Sequence, residues 1–307
     1  MKAFGYQSFG KPDVFEELEV DQPKITGQNQ VIVETLAVGI NNFERIQRMG
    51  VIGGDHFPVI PGRDIVGRVV AKSDDVTTIQ LDDVIIGHAG PAYAQFAKLS
   101  VNRLIKKPQN VSLEQAAAII TPGITAYNAV TEFTHVRAGD RVLVNGATGG
   151  VGMIAAQVAK HLGAYVVGVG SSKNRTTLQS LALDQLAFYD QEDINEKFAD
   201  QFDVVINAAM NGNNEALISA VIRDGGRAAS VGEANNLQDK PQVLFEHIRP
   251  LDAQHDRIAL QKLATMLSDK TLQVPIFKTL PLTLQGVVKG HDLLEQRHAP
   301  GRIILMK

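Results

Sequence analysis

The sequence predicts an α/β protein with two domains, a β-rich domain followed by a domain built on a doubly wound parallel sheet. The length of 307 residues favours two domains, because a single core stops growing at roughly 250–300 residues. Short strand-like runs separated by Gly and Asp fill the first part of the chain. From Arg141 onward, strand-like and helix-like runs alternate, which is typical of βαβ units.

The β-rich domain is predicted from closely spaced short strands. The run from Val31 to Val38 is apolar on both faces, which indicates a buried strand. Further strands are expected at 65–70, 84–86 and 93–99, with turn residues between them. Short strands with frequent turns favour a compact, barrel-like domain.

The pattern changes near Ser112, which precedes an alanine-rich helix and has Gln115 three residues on, as in a capping box. Thr121 and Pro122 begin a second helix. The later strands are predicted at 141–145, 164–169, 204–207 and 227–231, and the helices at 151–162, 173–182, 214–222, 256–267 and 286–295. A last strand, 302–306, is expected to return to the β-rich domain. The expected boundaries are 1–120, 121–262 and 263–307.

Composition excludes several classes of function. The net charge of −3 is spread along the chain, so no nucleic-acid partner is expected. The longest apolar runs are far below the ~20 residues of a membrane span, and the first residues lack the apolar stretch of a signal peptide. We therefore expect a cytoplasmic protein. The chain has no cysteine, which excludes disulfides, thiolate nucleophiles and cysteine-based zinc sites.

The strongest local motif is a glycine-rich turn between a strand and a helix, with the residues Gly146, Ala147, Thr148, Gly149, Gly150, Val151 and Gly152. Glycines let backbone amides approach a pyrophosphate, and the helix N-terminus adds partial positive charge. The spacing G-x-x-G-x-x-G differs from the strict G-x-G-x-x-G, so a tight turn without a ligand is the alternative. The βα units that follow favour dinucleotide binding.

The end of the next strand predicts which dinucleotide is bound. NAD sites usually place an acid there for the ribose 2′-hydroxyl, whereas this chain has the hydroxyls and cations Ser171, Ser172, Lys173 and Arg175. A 2′-phosphate attracts such a group, so NADPH is favoured over NADH. The alternative is a solvated first helical turn, although the helix dipole disfavours cations there.

Two other enzyme classes lack their required motifs in this chain. Short-chain dehydrogenases need Tyr-x-x-x-Lys, and none of the five tyrosines has a lysine four residues on. The serine-hydrolase motif G-x-S-x-G is also absent.

Motifs along nearly the whole chain resemble those of the medium-chain dehydrogenases/reductases, and in particular their quinone-reductase branch. They are Pro61–Gly67 for P-G-x-[DE]-x-x-G, Ala92–Phe96 for G-x-Y-A-E-Y, Ser112–Ala117 for S-x-E-x-A-A, Gly123–Tyr127 for G-x-T-A-Y, Ala147–Gly152 for A-x-G-G-V-G and His298–Ile303 for H-x-x-G-K-I. In the second motif Pro91 replaces the glycine. The resemblance implies a GroES-like catalytic domain and a Rossmann NADP-binding domain. Zinc-containing relatives have G-H-E where this chain has Gly62-Arg63-Asp64. No metal is therefore expected, and His56 and His88 are interpreted as loop histidines.

The resemblance also implies roles for particular residues. The segment 39–50 is similar to G-x-N-x-x-D-x-x-x-R-x-G, in which Asn41 faces the nicotinamide and the substrate carbonyl and Glu44 and Arg48 are structural. Thr125 is the second residue expected there. The alternative for Asn41 is a helix N-cap. Residues expected around the rest of the cofactor are Tyr189, Val231, Gly232 and Phe245.

The implied function is reduction of quinones by hydride transfer from NADPH, in a cleft between the domains. Two alternatives stay open: C=C reduction of enones or alkenals, and a non-catalytic NADPH-binding protein such as a sensor. Neither proposed polar residue is a proton donor at neutral pH, so water is the expected proton source. A homodimer is also expected, with 242–245 as the sheet edge that pairs with its copy.

Overall fold

The computed structural model describes residues 1–53, 56–209, 214–232, 237–296 and 300–307. Contacts divide the chain into a first unit, Met1–Thr121, Asp252–Ser268 and Ile276–Lys307, and a second unit, Pro122–Leu251 and Asp269–Pro275. The chain returns to the first unit at Asp252, earlier than the expected residue 263, because the helix that follows packs on the 3₁₀ turn Val101–Arg103 and the strand Leu104–Lys106 of that unit.

The first unit is built on a seven-stranded sheet and a separate two-stranded sheet. Its strands are β1 (Lys2–Gly5), β2 (Glu16–Glu19), β3 (Gln30–Gly39), β4 (Asp64–Lys72), β5 (Val84–His88), β6 (Phe96–Ser100), β7 (Leu104–Lys106), β14 (Ile276–Pro281) and β15 (Arg302–Met306). The larger sheet runs β14-β15-β3-β4-β5-β7, with β6 also paired to β3. Val31, Ile32 and Val33 in β3 are all buried, which confirms the strand predicted to be covered on both faces.

The α-helices in the described part of the first unit are α1 (Asn42–Arg48), α2 (Leu113–Ala118), α8 (Ala253–Ser268) and α9 (Leu284–Glu295). The Ser112 hydroxyl accepts a hydrogen bond from the Gln115 amide at 3.2 Å, so the predicted start of α2 is confirmed. The predicted return of the tail is confirmed as well, because β15 pairs antiparallel with β3. His298 and Ala299 of the closing motif lie outside the described residues.

The second unit contains a six-stranded sheet with the order β10-β9-β8-β11-β12-β13, and every described pair in it is parallel. The elements are α3 (Thr121–Asn128, beginning at the unit boundary), β8 (Arg141–Asn145), α4 (Gly150–His161), β9 (Tyr165–Gly170), α5 (Arg175–Ser180), β10 (Gln185–Phe188), α6 (Ile194–Lys197), β11 (Phe202–Asn207), α7 (Asn214–Val221), β12 (Ile222–Ser230) and β13 (Leu244–His247). The alternation predicted from the sequence is confirmed.

Several predicted elements differ in their bounds from the structure. The strand expected at 93–99 begins only at Phe96, and the strand expected at 227–231 begins earlier, at Ile222. The helix expected at 173–182 is split into a 3₁₀ turn, Ser172–Asn174, and the shorter α5, because the extended Ser171 accepts from the Lys173 amide and caps the turn instead. The edge strand expected at 242–245 lies at the edge of the sheet as β13, two residues further on. Within the described ranges, no helix is both long and apolar enough to cross a lipid bilayer.

Candidate functional site

The predicted glycine-rich turn follows β8 at the carboxyl edge of the parallel sheet. The chain order moves outward from β8 through β9 and β10 on one side, and through β11, β12 and β13 on the other. Ligands of open α/β sheets bind at such a switch point, outside the carboxyl ends of the strands. The strand–turn–helix arrangement predicted from the sequence is confirmed, and it lies where this topology favours a ligand.

Glycines are required in this turn by close approaches of the backbone. Gly146 has φ of +77°, a conformation that costs glycine little. A Cβ on Gly152 would lie only 2.3 Å from the Gly146 carbonyl oxygen. The Gly146 and Ala147 amides both donate to Val169 O, at 3.1 and 2.9 Å, which fixes the turn against β9.

The N-terminus of α4 fits a pyrophosphate. The first-turn amides of Gly150, Val151 and Gly152 have no carbonyl one turn back in the helix to accept from them. The partial positive charge of the 12-residue helix α4 is concentrated at that end. Because the first and third of these residues have no side chain, a phosphate can approach the amides closely.

The two predicted cations lie at the carboxyl end of β9 and are exposed. The Arg175 guanidinium lies 3.9 Å from the Phe188 ring centroid and donates to Gln191 Oε1 at 2.9 Å. The Lys173 ammonium has no hydrogen bond or ion pair within the described part of the chain. One cation is therefore held in place, and the other is available to an incoming anion.

The Asp190 carboxylate also bonds to residues of this group, although the sequence did not predict a role for Asp190. Ser171 and Ser172 donate their hydroxyls to Asp190 Oδ2 at 3.2 and 2.7 Å, and the Ser172 amide donates to Oδ1 at 2.8 Å. These bonds from Ser172 lower the pKa of Asp190. The signal was available, because parallel neighbours β9 and β10 end at one edge and Asp190 follows β10 closely.

The other predicted cofactor residues follow or lie in neighbouring strands. Tyr189 directly follows β10 and is 60% exposed, and Val231 and Gly232 directly follow β12. Phe245 lies within β13, level with Ala228 of β12. We call the strand ends of β8, β9, β10 and β12, with their loops, the carboxyl edge.

A series of side-chain hydrogen bonds that the sequence did not predict supports the carboxyl edge. Asn145 Nδ2 donates to Asn207 Oδ1 at 3.0 Å, and Asn207 Nδ2 donates to Ser230 Oγ at 2.9 Å. Ser230 Oγ also accepts from the Gly232 amide at 3.1 Å. These bonds link the ends of β8, β11 and β12.

The two residues expected at the reacting end lie in different units. Thr125 is on α3 in the second unit and is partly buried. Asn41 precedes α1 in the first unit and is 5% exposed. Its backbone amide donates to Glu44 Oε2 at 2.9 Å, so it occupies the helix N-cap position that was the alternative interpretation.

The Asn41 side chain belongs to a buried network. Asn41 Nδ2 donates to Asp64 Oδ2 at 2.9 Å, and Asn41 Oδ1 accepts from Arg302 Nη2 at 2.8 Å. Asp64 Oδ1 accepts from both the amide and the hydroxyl of Thr121, at 3.0 and 2.5 Å. We call Asn41, Asp64, Thr121 and Arg302 the Asn41 network. Sequence motifs contained three of these residues but did not indicate that they meet.

Burial shifts the titration of the groups around this network. Burial, with the nearby charge of Asp64, raises the pKa of Glu44 to about 7. Burial lowers the pKa of Arg302, while Asp64 opposes the shift. Behind them, the Tyr93 hydroxyl lies 3.2 Å from His291 Nε2, and burial lowers the pKa of His291 to about 3. His291 is therefore neutral at physiological pH.

The position that holds a histidine in zinc-containing relatives is occupied by Arg63. Its guanidinium lies 3.3 Å from the Phe43 ring centroid. His88, which was interpreted as a loop histidine, is the last residue of β5. Its Nε2 lies 3.0 Å from Thr121 Oγ1 and its Nδ1 3.5 Å from Asp256 Oδ2. Among the residues that the structure describes, no three His, Asp or Glu side chains form a group that could hold a metal ion.

Comparisons with known proteins agree with this architecture. Residues 27–109 match the model of the alcohol dehydrogenase GroES-like domain, and residues 181–305 match the model of a zinc-binding dehydrogenase family. The first match confirms the predicted GroES-like domain.

Relatives and solved structures cover most of the chain. The human quinone oxidoreductase is 28% identical over 257 residues, or 79% of this chain and 76% of that protein. The chloroplastic NADPH-dependent alkenal/one oxidoreductase of Arabidopsis thaliana is 26% identical over 99% of this chain and 79% of its own. The quinone oxidoreductase structure from Coxiella burnetii superimposes with a TM-score of 0.89 at 26% identity, over 100% and 99% of the two chains. The chain therefore belongs to the medium-chain dehydrogenase/reductase family of oxidoreductases and resembles its quinone oxidoreductases.

Proposed function

We propose that the protein reduces quinones with NADPH. The observation that carries this proposal is the carboxyl edge, where the open amides of α4 lie one strand away from the exposed pair Lys173 and Arg175. The quinone oxidoreductase relatives support the acceptor class, and the NADPH-dependent relative supports the cofactor.

The chain's own residues bind and orient the cofactor. Amides of the turn 146–152 hold the pyrophosphate, and Ser171, Ser172, Lys173 and Arg175 hold the 2′-phosphate. Tyr189, Val231, Gly232 and Phe245 line the rest of the bound molecule. When bound, a reduced nicotinamide supplies a hydride to an electron-poor acceptor.

Asn41 and Thr125 are proposed to position the nicotinamide and the acceptor carbonyl. The contacts of Asn41 with Asp64 and Arg302 leave one of its two Nδ2 hydrogens for a carbonyl oxygen. Those same contacts fix the direction of that hydrogen, which favours preorganised stabilisation of developing charge. Neither side chain titrates near neutral pH, so water delivers the proton.

We propose that the reaction needs no zinc, because the chain has no cysteine and Arg63 replaces a ligand histidine. Metal analysis of the purified protein should find no stoichiometric zinc, and a chelator should leave turnover unchanged. One tightly bound zinc per chain, lost together with activity, would contradict this proposal.

Reduction of enones or alkenals at C=C is the second candidate, and the Arabidopsis relative favours it. A panel of quinones and enones with NADPH separates the two acceptor classes. Tight NADPH binding without turnover of any acceptor would favour a non-catalytic NADPH-binding protein instead.

The cofactor assignment is tested by replacing Lys173 and Arg175 with alanine. Each charge-assisted contact contributes roughly 1.5–3 kcal/mol, so the Michaelis constant for NADPH should rise at least about 100-fold while that for NADH changes little. The matched control removes two exposed lysines, Lys262 and Lys289, and should leave the ratio of the two constants unchanged. Equal loss for NADPH and NADH would contradict the assignment.

We also propose a homodimer formed through β13. This strand lies at the sheet edge, and Leu244 in it is 67% exposed. Pairing with a second copy would cover the unpaired backbone groups of this edge. Light scattering at micromolar concentration should give the mass of a dimer, and a monomer would contradict the proposal.

A further inference from the structure

The first unit contains a cavity of about 410 Å³, a size typical of small-molecule sites. Residues that line it include Phe43, Arg63, His88, Pro91 and Arg103. All of these residues belong to the first unit.

The positive charge in this cavity has no carboxylate partner among the residues that the structure describes. Two of the described lining residues are arginines, and none of the described lining residues is acidic. In the described part of the chain, neither Arg63 nor Arg103 has a carboxylate within ion-pair distance. Arg63 is half-buried, with its guanidinium on the Phe43 ring at 3.3 Å. Burial lowers the pKa of Arg63, and the charge of Arg103 adds to this effect, although Glu44 and Asp64 oppose it.

The cavity is connected to the Asn41 network. Arg63 immediately precedes Asp64, which accepts from Asn41. His88, another lining residue, lies 3.0 Å from the Thr121 hydroxyl, which itself donates to Asp64. A molecule in the cavity therefore lies beside the group proposed to hold the acceptor carbonyl.

We propose that this cavity binds the acceptor through a carboxylate seated between Arg63 and Arg103, so that the preferred substrates are carboxylate-bearing quinones or enones. The proposal rests on the proposed function. A guanidinium matches the two oxygens of a carboxylate, and stacking on Phe43 fixes the plane of the Arg63 fork. In the reaction, the acceptor gains one hydride from NADPH and one proton from water, and NADPH is oxidised to NADP⁺.

The experiment compares each acid with its methyl ester, using benzoquinonecarboxylate for quinones and trans-benzoylacrylate for enones. We expect Arg103→Met and Arg63→Met each to lower the acid-to-ester ratio of kcat/KM about 10-fold or more, mainly through KM of the acid. Arg63→Lys, which keeps the charge, should retain part of the ratio. Arg68→Met removes a half-exposed arginine on β4 outside the cavity and should keep the wild-type ratio.

An unchanged ratio in both cavity variants would overturn the proposal. If wild-type protein reduces no acceptor, the proposed function fails, but the cavity is still testable. Titration calorimetry with benzoylpropionate, which cannot be reduced at C=C, should then show binding to wild type that Arg103→Met weakens about 10-fold or more. No binding, or equal binding by both proteins, would overturn the carboxylate site.

Discussion

At the carboxyl edge of the parallel sheet, the charged residues Lys173, Arg175 and Asp190 are exposed, and any bonds that they make in the described structure go to neighbouring residues. In contrast, Asn41, Asp64 and Arg302 are buried and bonded directly to one another. Solvent screens the first group, so each member contributes little to stability. The second group is buried away from water, so removal of one member leaves the buried charge of its partner unpaired. Substitutions should therefore change cofactor affinity at the carboxyl edge and folding free energy in the Asn41 network.

The largest effect is expected for Asp64→Asn. The new asparagine amide cannot neutralise the charge of Arg302. Its NH₂ group would also face Asn41 and Thr121, which donate hydrogen bonds to the Asp64 carboxylate. The loss of the Asp64 charge should lower the free energy of unfolding by about 3–5 kcal/mol, measured by urea denaturation.

Asp190→Asn is the matched control, because that carboxylate also accepts several hydrogen bonds but is exposed. It should lower the free energy of unfolding far less than Asp64→Asn does, because solvent screens this charge. Similar losses for the two variants would remove the contrast between the two regions.

The second effect is a pH dependence of stability caused by Glu44. Its pKa is raised from 4.5 to about 7 in the folded protein, so the folded state binds this proton more tightly than the unfolded state. Stability is therefore lost as the pH rises from about 4.5 to about 7, by about 3 kcal/mol in total.

Glu44→Gln should remove this contribution, since an amide does not titrate. The measurement is urea denaturation of both proteins at pH 5 and pH 8, with Glu114→Gln as the control at an incompletely buried glutamate. A pH dependence that is the same in wild type and Glu44→Gln would show that another group is responsible.

The same contrast explains what the sequence could predict. The glycine-rich turn was predictable because strand, turn and helix are contiguous, and Ser112 because its cap contact reaches only Gln115. The bond between Arg302 and Asn41 joins residues 261 positions apart, and no local pattern encodes it. Asp190 escaped notice because it contacts Ser172 through adjacency of parallel strands, 18 positions away. Local signals thus identified the carboxyl edge, whereas the Asn41 network required the fold.

The third prediction concerns Gly152→Ala in the glycine-rich turn. The new Cβ would lie 2.3 Å from Gly146 O, so the backbone must move, which costs about 1–3 kcal/mol of stability for overpacking. NADPH affinity, read by fluorescence of the reduced nicotinamide, should fall as well. Gly149→Ala, with a nearest contact of 3.3 Å to the same oxygen, should cause a smaller loss of both. If Gly149→Ala instead had the larger effect, the distance between the new Cβ and the Gly146 oxygen would not determine the size of the loss.

The smallest effect is expected for the affinity of the Asp190→Asn variant for NADPH. The carboxylate lies against Ser171 and Ser172, next to the proposed 2′-phosphate contacts, and it holds both hydroxyl hydrogens. The asparagine oxygen can still accept from the Ser172 amide, but the negative charge is gone. Removing one repulsive, solvent-screened charge has only a small effect on binding, so the dissociation constant for NADPH should fall by no more than about 5-fold.

NADH has no 2′-phosphate, so its dissociation constant should stay within error, and the difference should shrink as salt screens the exposed charges. Weaker NADPH binding in Asp190→Asn would instead mean that the carboxylate is needed to hold Ser171 and Ser172 in place. In that case the exposed Asp190 would hold neighbouring side chains in fixed positions, as the buried Asp64 does in the Asn41 network. The two regions would then differ in burial but not in how their carboxylates work.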